Sequence, residues 1–494
     1  MKRTSARAIG ALLLSAALSA CASGPAPRAG EPLRALGEGF GGEGLSPFAK
    51  ESLGSLSSFS LSNGIPVVLR RNPASRVLAL SLVIRGGSAA ATRESAGLEG
   101  LALAAMARGS VDHPYEEIQS ILDETSSSLG RSAGLDYSSY NLVTLDKYLP
   151  RLLPLWTDTL LRPAFTQKDF DQVLSEAKLA LQSRDQDPWA STAYEANRAF
   201  FAGHPYEAAP EGTRDSLAAM DLAAVKDWYA KAFSANRMFV VAVGDFDQAE
   251  LRERLEAGIG KIPDRGFALP PPPPAFALGG GSGRLVKKDF PQSKGLAYLR
   301  GDFAAPGPES PDYMALNLGM EMLSDLLLNV VRDKHGAVYS PNAYARDSLA
   351  NYGSIVLYKT KAAGQIKSYI DEAVAELAAG RVLSVDPGQG EGAQPRMDLA
   401  EALPAYKAKY ANALFEGQAT NAQVAARIAK SVVSSGDYRA WLLDLDRIQA
   451  LRAEEVSAAV RKYLLGGRIT WVLLGSADAI LPASPEDYAS IGAR

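Results

Sequence analysis

The chain has 494 residues, 47% of them hydrophobic and 22% charged, with a formal net charge of −3. That balance belongs to an ordinary globular protein and excludes a disordered chain. The near-neutral charge gives no support to nucleic-acid binding, and the length exceeds what one simple core accommodates.

Residues 1–20 read as a secretory signal. Lys2, Arg3 and Arg7 supply the positive start, and the apolar run that follows is too short to span a bilayer. It ends in Leu18-Ser19-Ala20-Cys21, which resembles the cleavage box of bacterial lipoproteins. Cys21 is the single cysteine of the chain and stands where that box needs its acylated thiol. The expectation is a protein of the cell envelope, lipid-anchored to a membrane, on the periplasmic face with the outer membrane as the alternative, and with no intrachain disulfide. Residues 21–50, rich in Gly, Ala, Pro and Ser, read as a flexible tether with a reach on the order of 30 Å. No later apolar run is expected to form a transmembrane helix.

The first folded unit is expected over residues 51–268. Phe59-Ser-Leu-Ser-Asn-Gly64-Ile-Pro-Val-Val-Leu reads as a hairpin turning at Asn63-Gly64. A third strand is expected over 77–84. A largely apolar helix follows between Gly97 and Gly109, the latter suited to a left-handed C-cap. Helical periodicity covers 115–129, 145–161 and 167–184, and Asp187-Pro188 then breaks the chain.

Residues 269–283 form the clearest boundary. Five prolines, Pro270 to Pro274, predict a stiff extended piece, and the glycines from Gly279 to Gly283 a flexible one. The second unit, 284–494, carries strand patterns at 283–289, 294–303 and 352–360 and helical ones at 312–334 and 366–379. The two units repeat each other weakly. Arg237-Met-Phe-Val-Val-Ala-Val-Gly244-Asp-Phe-Asp247 matches Arg468-Ile-Thr-Trp-Val-Leu-Leu-Gly475-Ser-Ala-Asp478, 231 residues further on. At the same spacing Val225 meets Val456 and Lys231 meets Lys462. The expected fold class is therefore α+β: two homologous halves, each a mostly antiparallel sheet packed with helices, closing as a clamshell.

The stretch Gly97-Leu-Glu-Gly100-Leu-Ala-Leu103-Ala104-Ala-Met-Ala-Arg-Gly109-Ser110 resembles the active-site helix of the pitrilysin/insulinase family of zinc peptidases, which includes the mitochondrial processing peptidases. The zinc motif of that family is His-x-x-Glu-His. Its first His falls on Gly100, its Glu on Leu103 and its second His on Ala104. Catalytic zinc needs three protein ligands and an open position for water, and Gly, Leu and Ala side chains have no lone pair to give. The resemblance runs from about residue 59 to 480, through Arg85-Gly-Gly-Ser88, Leu161-Arg-Pro-Ala-Phe165, Gly203-His-Pro-Tyr206, Gly212-Thr213 and Val243-Gly-Asp245. The family's third zinc ligand is a glutamate in a Val-x-x-Glu setting, and Val173-Leu-Ser-Glu176 places Glu176 there as a vestige. The three histidines, His113, His204 and His335, lie too far apart in sequence to form a helical metal pair.

In the second half, Val331-Arg332-Asp-Lys-His-Gly336-Ala-Val-Tyr339-Ser340 resembles the Arg-x-x-x-Gly-x-x-Tyr segment of the family's C-terminal domains. In bacterial relatives this Arg and Tyr face a zinc site across the clamshell, sometimes one on a partner subunit. A guanidinium can fork a substrate carbonyl or carboxylate, and a phenol can donate to the oxyanion of amide hydrolysis. The Gly/Ser-rich run that relatives carry before this helix is here Met322-Leu-Ser-Asp-Leu-Leu-Leu. The resemblance implies an inactive family member that binds no cofactor itself. It would bind an extended peptide by strand addition and pair with an active zinc-motif homologue, with zinc on that partner and Arg332 and Tyr339 acting in trans. The alternative is a stand-alone scaffold or peptide-binding lipoprotein in which Arg332 and Tyr339 are structural.

Overall fold

A computed structural model of the protein describes residues 45–279, 283–384, 394–489 and 491. The signal, Cys21 and most of the tether lie outside the described residues. Two sheets organise the chain. The first joins β1 (Leu56–Ser60), β2 (Pro66–Arg71), β3 (Val77–Arg85), β4 (Ser128–Ala133), β5 (Tyr137–Leu145) and β6 (Met238–Gly244) in the order β1-β2-β6-β3-β5-β4. The second joins β7 (Arg284–Asp289), β8 (Ala297–Ala304), β9 (Asn342–Ala345), β10 (Tyr352–Thr360) and, after the small hairpin of β11 (Arg381–Leu383) and β12 (Arg396–Asp398), β13 (Ile469–Gly475). Its order is β7-β13-β8-β10-β9. Apart from the extra edge strand β1, the two orders are the same. Among the described residues the one parallel pair in each sheet is the equivalent one, β2 with β6 and β7 with β13. The α+β class with two homologous lobes is therefore what the chain adopts.

The central strands β3 and β6 are apolar along almost their whole length and buried on both faces. Helices of the same half cover one face of each sheet and form its main core. The other face is covered by a helix from the opposite half. Helix Pro188–Phe200 leaves the first half and lies on β8 and β13, with Trp189 edge-on to Tyr358 at 4.3 Å. Helix Asn421–Ser435 leaves the second half and lies on β3 and β6, where Asn421 accepts from Asn72 at 2.7 Å and donates to the Val77 carbonyl at 2.5 Å. Each exchanged helix starts with a side-chain cap, Asp187 accepting from the Ala190 N–H and Thr420 from the Gln423 N–H. The break expected at Asp187-Pro188 is therefore a helix start, with proline at the first turn.

Several local expectations are corrected. The helix expected to reach residue 129 stops at Thr125, Ser126 takes a left-handed φ of +49°, and the chain enters β4. Strands β4 and β5 were not expected: β4 is the exposed sheet edge and carries polar residues, and the interior strand β5 buries Ser138, Ser139 and Thr144 among its apolar positions. Gly109 is not a helix cap. The helix ends at Met106, and Gly109 turns at φ +141°, where a Cβ would sit 2.9 Å from the His113 carbonyl oxygen. The run 312–334 is one helical rod, α to Leu327 and π from Leu328 to Lys334. It is long and apolar enough to cross a membrane, contrary to the expectation, but 72% of its most apolar window is buried as the core helix of the second half.

The proline segment is not a free spacer. Phe276 sits among Phe200, Phe201, Tyr206 and Tyr352, and the His204 ring Nε2 lies 2.9 Å from the Pro274 carbonyl oxygen. An extended proline run leaves its carbonyls and side chains free to dock, and here they dock across the junction of the halves. The helix Pro47–Gly54 likewise begins inside the stretch assigned to the tether. Leu45 and Ala49 pack in the cluster under helix Asn421–Ser435, and the Phe48 ring meets Phe415 and Trp441 edge-on.

Candidate functional site

The helix that carries the degenerate motif spans Leu98–Met106. It starts at Gly97, whose φ of +85° and contact with Gly212, 2.7 Å from where a Cβ would stand, admit no side chain. Leu101, Ala102, Leu103, Ala105 and Met106 are buried in the core, while Gly100 and Ala104 are half-buried, Ala104 packing against the same core. A Cβ at Gly100 would meet Ala133 Cβ at 3.3 Å and the Pro210 carbonyl oxygen at 3.4 Å. Position 100 is thus pressed against the end of edge strand β4, and Leu103 is committed to the core.

Glu176 lies on helix Gln167–Gln186, about half exposed. Its carboxylate accepts from Gln172 Nε2 at 2.8 Å and stands 3.8 Å from Arg108 Nη1. Arg108 also approaches Asp169 at 3.6 Å and lies over the Tyr115 ring at 3.8 Å. The charge of the vestigial glutamate is therefore answered by an arginine. Among the described residues no group of three or more His, Cys, Asp or Glu side chains gathers where a metal could sit. These residues do not fit a catalytic zinc: two of the three motif positions lack space or access, all three lack lone pairs, and the remaining carboxylate is engaged elsewhere.

Beneath the same helix lies a buried ion pair that sequence reasoning did not find. Glu99 accepts from Arg237 Nη2 at 2.8 Å and from Ser138 Oγ at 2.5 Å. Arg237, 1% exposed, also donates to the carbonyls of Arg85 at 2.7 Å and Ala232 at 3.3 Å and faces the Phe267 ring at 4.4 Å. The available signal was one carboxylate in an otherwise apolar helix, next to a motif position.

A cleft of about 510 Å³ opens beside the start of this helix. Tyr194, Phe201, Tyr206, Arg93, Arg198 and Glu211 are among its walls. One of these walls, Tyr206, reaches the junction of the halves. The Tyr206 hydroxyl donates to the Asp136 carboxylate, Leu349 N–H donates to Asp136 at 3.0 Å, and Ala350 N–H to the Tyr206 oxygen at 3.0 Å. Burial pushes the Asp136 carboxyl above its ordinary range against the pull of these donors. Burial first, and then the Asp136 charge, holds the Tyr206 phenol far above the usual tyrosine value.

Arg332 and Tyr339 stand apart from this region. Arg332 lies in the π-helical turn with its guanidinium 40% exposed and paired with neighbouring Asp333 at 2.7 Å. Tyr339 is 80% exposed. Among the described residues no hydrogen bond, ion pair or ring contact joins the two, or either of them to the first half. The structure sets Gly100 against the end of β4, turns Leu103 into the core with Ala104 packed against it, sets Glu176 beside Arg108, and leaves Arg332 and Tyr339 open on the surface of the second half.

A two-lobed peptidase architecture around a helix stripped of its metal ligands defines the class, and comparison with known proteins agrees. Residues 66–212 match the family described as insulinase (peptidase family M16), and residues 219–381 match the peptidase M16 inactive domain. Together these cover well over half of the chain, which belongs to the M16 insulinase family. Among relatives, the non-peptidase homolog YmxG of Helicobacter pylori is 23% identical over 40% of this chain, and the match spans 46% of that protein's length. An uncharacterized zinc protease of Mycobacterium bovis is 25% identical over 73% of this chain and 79% of its own. The solved peptidase M16 inactive domain from Pseudomonas fluorescens superposes with a TM-score of 0.73 at 20% identity, over 85% of this chain and 98% of that one. A protease from Helicobacter pylori gives 0.74 at 16% identity, over 85% and 99%. The chain is a non-catalytic member of its family.

Proposed function

We propose that this chain is a lipid-anchored, non-catalytic subunit that binds extended peptides and pairs with an active zinc-bearing family member in proteolysis. The observation that carries the reading is the unpaired edge of β4, which ends the first sheet and runs directly past Gly100. An extended peptide added to this edge would gain main-chain hydrogen bonds and lie along the motif helix. The bond to be cut would need zinc and its water from the partner, since positions 100, 103 and 104 supply neither ligand nor base. The exposure of Tyr339 and Arg332 supports their use in trans, because neither must be uncovered to reach a partner's site. Acylation at Cys21 would hold the complex at the membrane, and several lipid chains hold stably where one does not.

The test is reconstitution with a family member that carries His-x-x-Glu-His. Tyr339→Phe is expected to lower kcat of the mixture by about 10²-fold, the typical loss for one oxyanion donor, with KM less affected. Arg332→Ala is expected to weaken substrate binding while the complex remains assembled by size-exclusion chromatography. Full turnover of both variants in an intact complex would leave the scaffold reading instead. In cells, Cys21→Ala should move the protein out of the membrane fraction.

A further inference from the structure

The two sheets differ most on the face covered by the exchanged helix. Aligning β6 with β13 at the 231-residue spacing makes Val243 equivalent to Leu474 and Val241 to Val472. Their cross-strand neighbours are Ala79 and Ser81 in the first sheet, but Tyr298 and Arg300 in the second. One strand further out, Val143 stands where Tyr358 stands, and at the edge Ser132 stands where Tyr344 stands. Counted from the caps Thr420 and Asp187, Ala422 on the first sheet's covering helix stands where Trp189 stands on the second's. In the second sheet these side chains fill the space, with ring contacts of 4.3 Å from Trp189 to Tyr358 and 5.6 Å from Tyr298 to Tyr358. In the first sheet the same place is a groove of about 290 Å³.

Its floor is polar but internally satisfied. Ser81 Oγ donates to Asn141 Oδ1 at 2.6 Å, Asn141 Nδ2 to Ser139 Oγ at 3.1 Å, and Ser132 and Ser139 share a bond of 3.0 Å. Among the described residues no charged side chain lines it, and Ala422, Ala425, Ala426 and Ala429 form the helix wall. The other wall is the edge strand, through Ser128, Gly130 and Ser132. Gly130 is open above: a Cβ there would only reach ordinary contact with Asn141, at 3.8 Å. A strand added to β4 sends alternate side chains to this face and the rest toward the motif helix.

We infer that the groove between β4 and helix Asn421–Ser435 is a specificity pocket for a large uncharged side chain, aromatic by preference, of an extended peptide added to β4. This rests on the strand-addition reading above. The pocket would take from the peptide the bulk that the second half supplies with its own Trp and Tyr.

The test uses the full chain and short acetylated peptides alternating threonine with either phenylalanine or alanine, with binding read by calorimetry. The phenylalanine peptide should bind roughly tenfold or more tighter, the ratio that corresponds to burying one large apolar side chain. Ala422→Trp, which restores the counterpart of Trp189, should remove the difference while alanine-peptide binding persists. Ser132→Tyr, on the exposed edge where folding is not at risk, should do the same in part. Equal affinity of the two peptides for the wild-type chain, or a preference that survives both variants, would overturn the pocket while leaving strand addition standing. Binding of neither peptide would overturn strand addition and the pocket with it. Self-association of the wild-type chain that Ala422→Trp abolishes would assign the groove to a second copy and overturn the peptide assignment.

Discussion

The first and second sheets share strand order and strand direction, yet they are packed by opposite means. The second sets wide rings over glycine. A Cβ on Gly301 would lie 2.3 Å from the Trp471 ring, and one on Gly353 would lie 2.2 Å from the Phe303 ring. The first places Leu82 opposite Val240 at the position equivalent to Gly301 opposite Trp471. The comparison shows that a duplicated backbone conserves summed volume across a strand pair rather than any one side chain. It also shows where the halves parted: the second sheet is filled by rings under its exchanged helix, while the first keeps a hollow beside its edge strand β4.

The strongest way to break this comparison is at the rings. Trp471→Ala should cost about 3–5 kcal/mol, as expected for emptying a fully buried aromatic site. Gly301→Leu alone forces a clash against Trp471 and should cost about 1–3 kcal/mol or more. The double variant Gly301→Leu, Trp471→Val grafts the first-half pairing and should recover much of that loss. Urea unfolding midpoints measure these variants and Trp471→Val alone, and a double variant no better than the sum of Gly301→Leu and Trp471→Val would refute the volume argument.

The second contrast is between the repeat arginines. Arg237 is buried against Glu99, whereas Arg468, its counterpart, is exposed. Arg237→Ala should cost about 3–5 kcal/mol because it leaves a buried carboxylate unpaired. Arg468→Ala should change stability by less than about 0.5 kcal/mol. Similar losses in the two variants would show that the exposure difference has no energetic meaning.

A smaller effect should appear at the junction of the halves. Burial raises the Asp136 carboxyl in the folded chain. A raised folded value means the folded state holds the proton more tightly than the unfolded state does. Its contribution is therefore present below the ordinary Asp value and declines as pH rises through the folded one. Asp136→Asn should remove this part of the pH dependence, so the wild-type and variant melting curves should converge toward acid and separate as pH rises. Parallel curves across that range would argue against the shift.

Much of the candidate site could be read along the chain. The replacement of three ligand positions by Gly100, Leu103 and Ala104 needs no structure, because side chains without lone pairs cannot hold a metal in any fold. The repeat around Arg237 and Arg468 located β6 and β13, since fully buried strands carry continuous apolar runs. Strands β4 and β5 were not legible: an edge strand such as β4, solvated on its free side, carries Ser, Gly and Arg and imitates a loop, while β5 buries Ser138, Ser139 and Thr144 and so breaks its apolar alternation. Arg332 and Tyr339 were legible as a motif, but their separate placement on an open surface was not.

What the sequence determined by itself was the set of local facts: the apolar strands, the interruption at Asp187-Pro188, and the absence of lone pairs on the motif helix. These depend on side-chain chemistry and nearest-neighbour backbone terms. Tertiary structure alone decided that the halves exchange helices, that the proline run docks instead of bridging, that Glu99 finds Arg237, and that one sheet keeps a hollow where the other is full. Each of these is set by which surfaces meet across about seventy residues of chain or more, and local periodicity carries no term for that meeting.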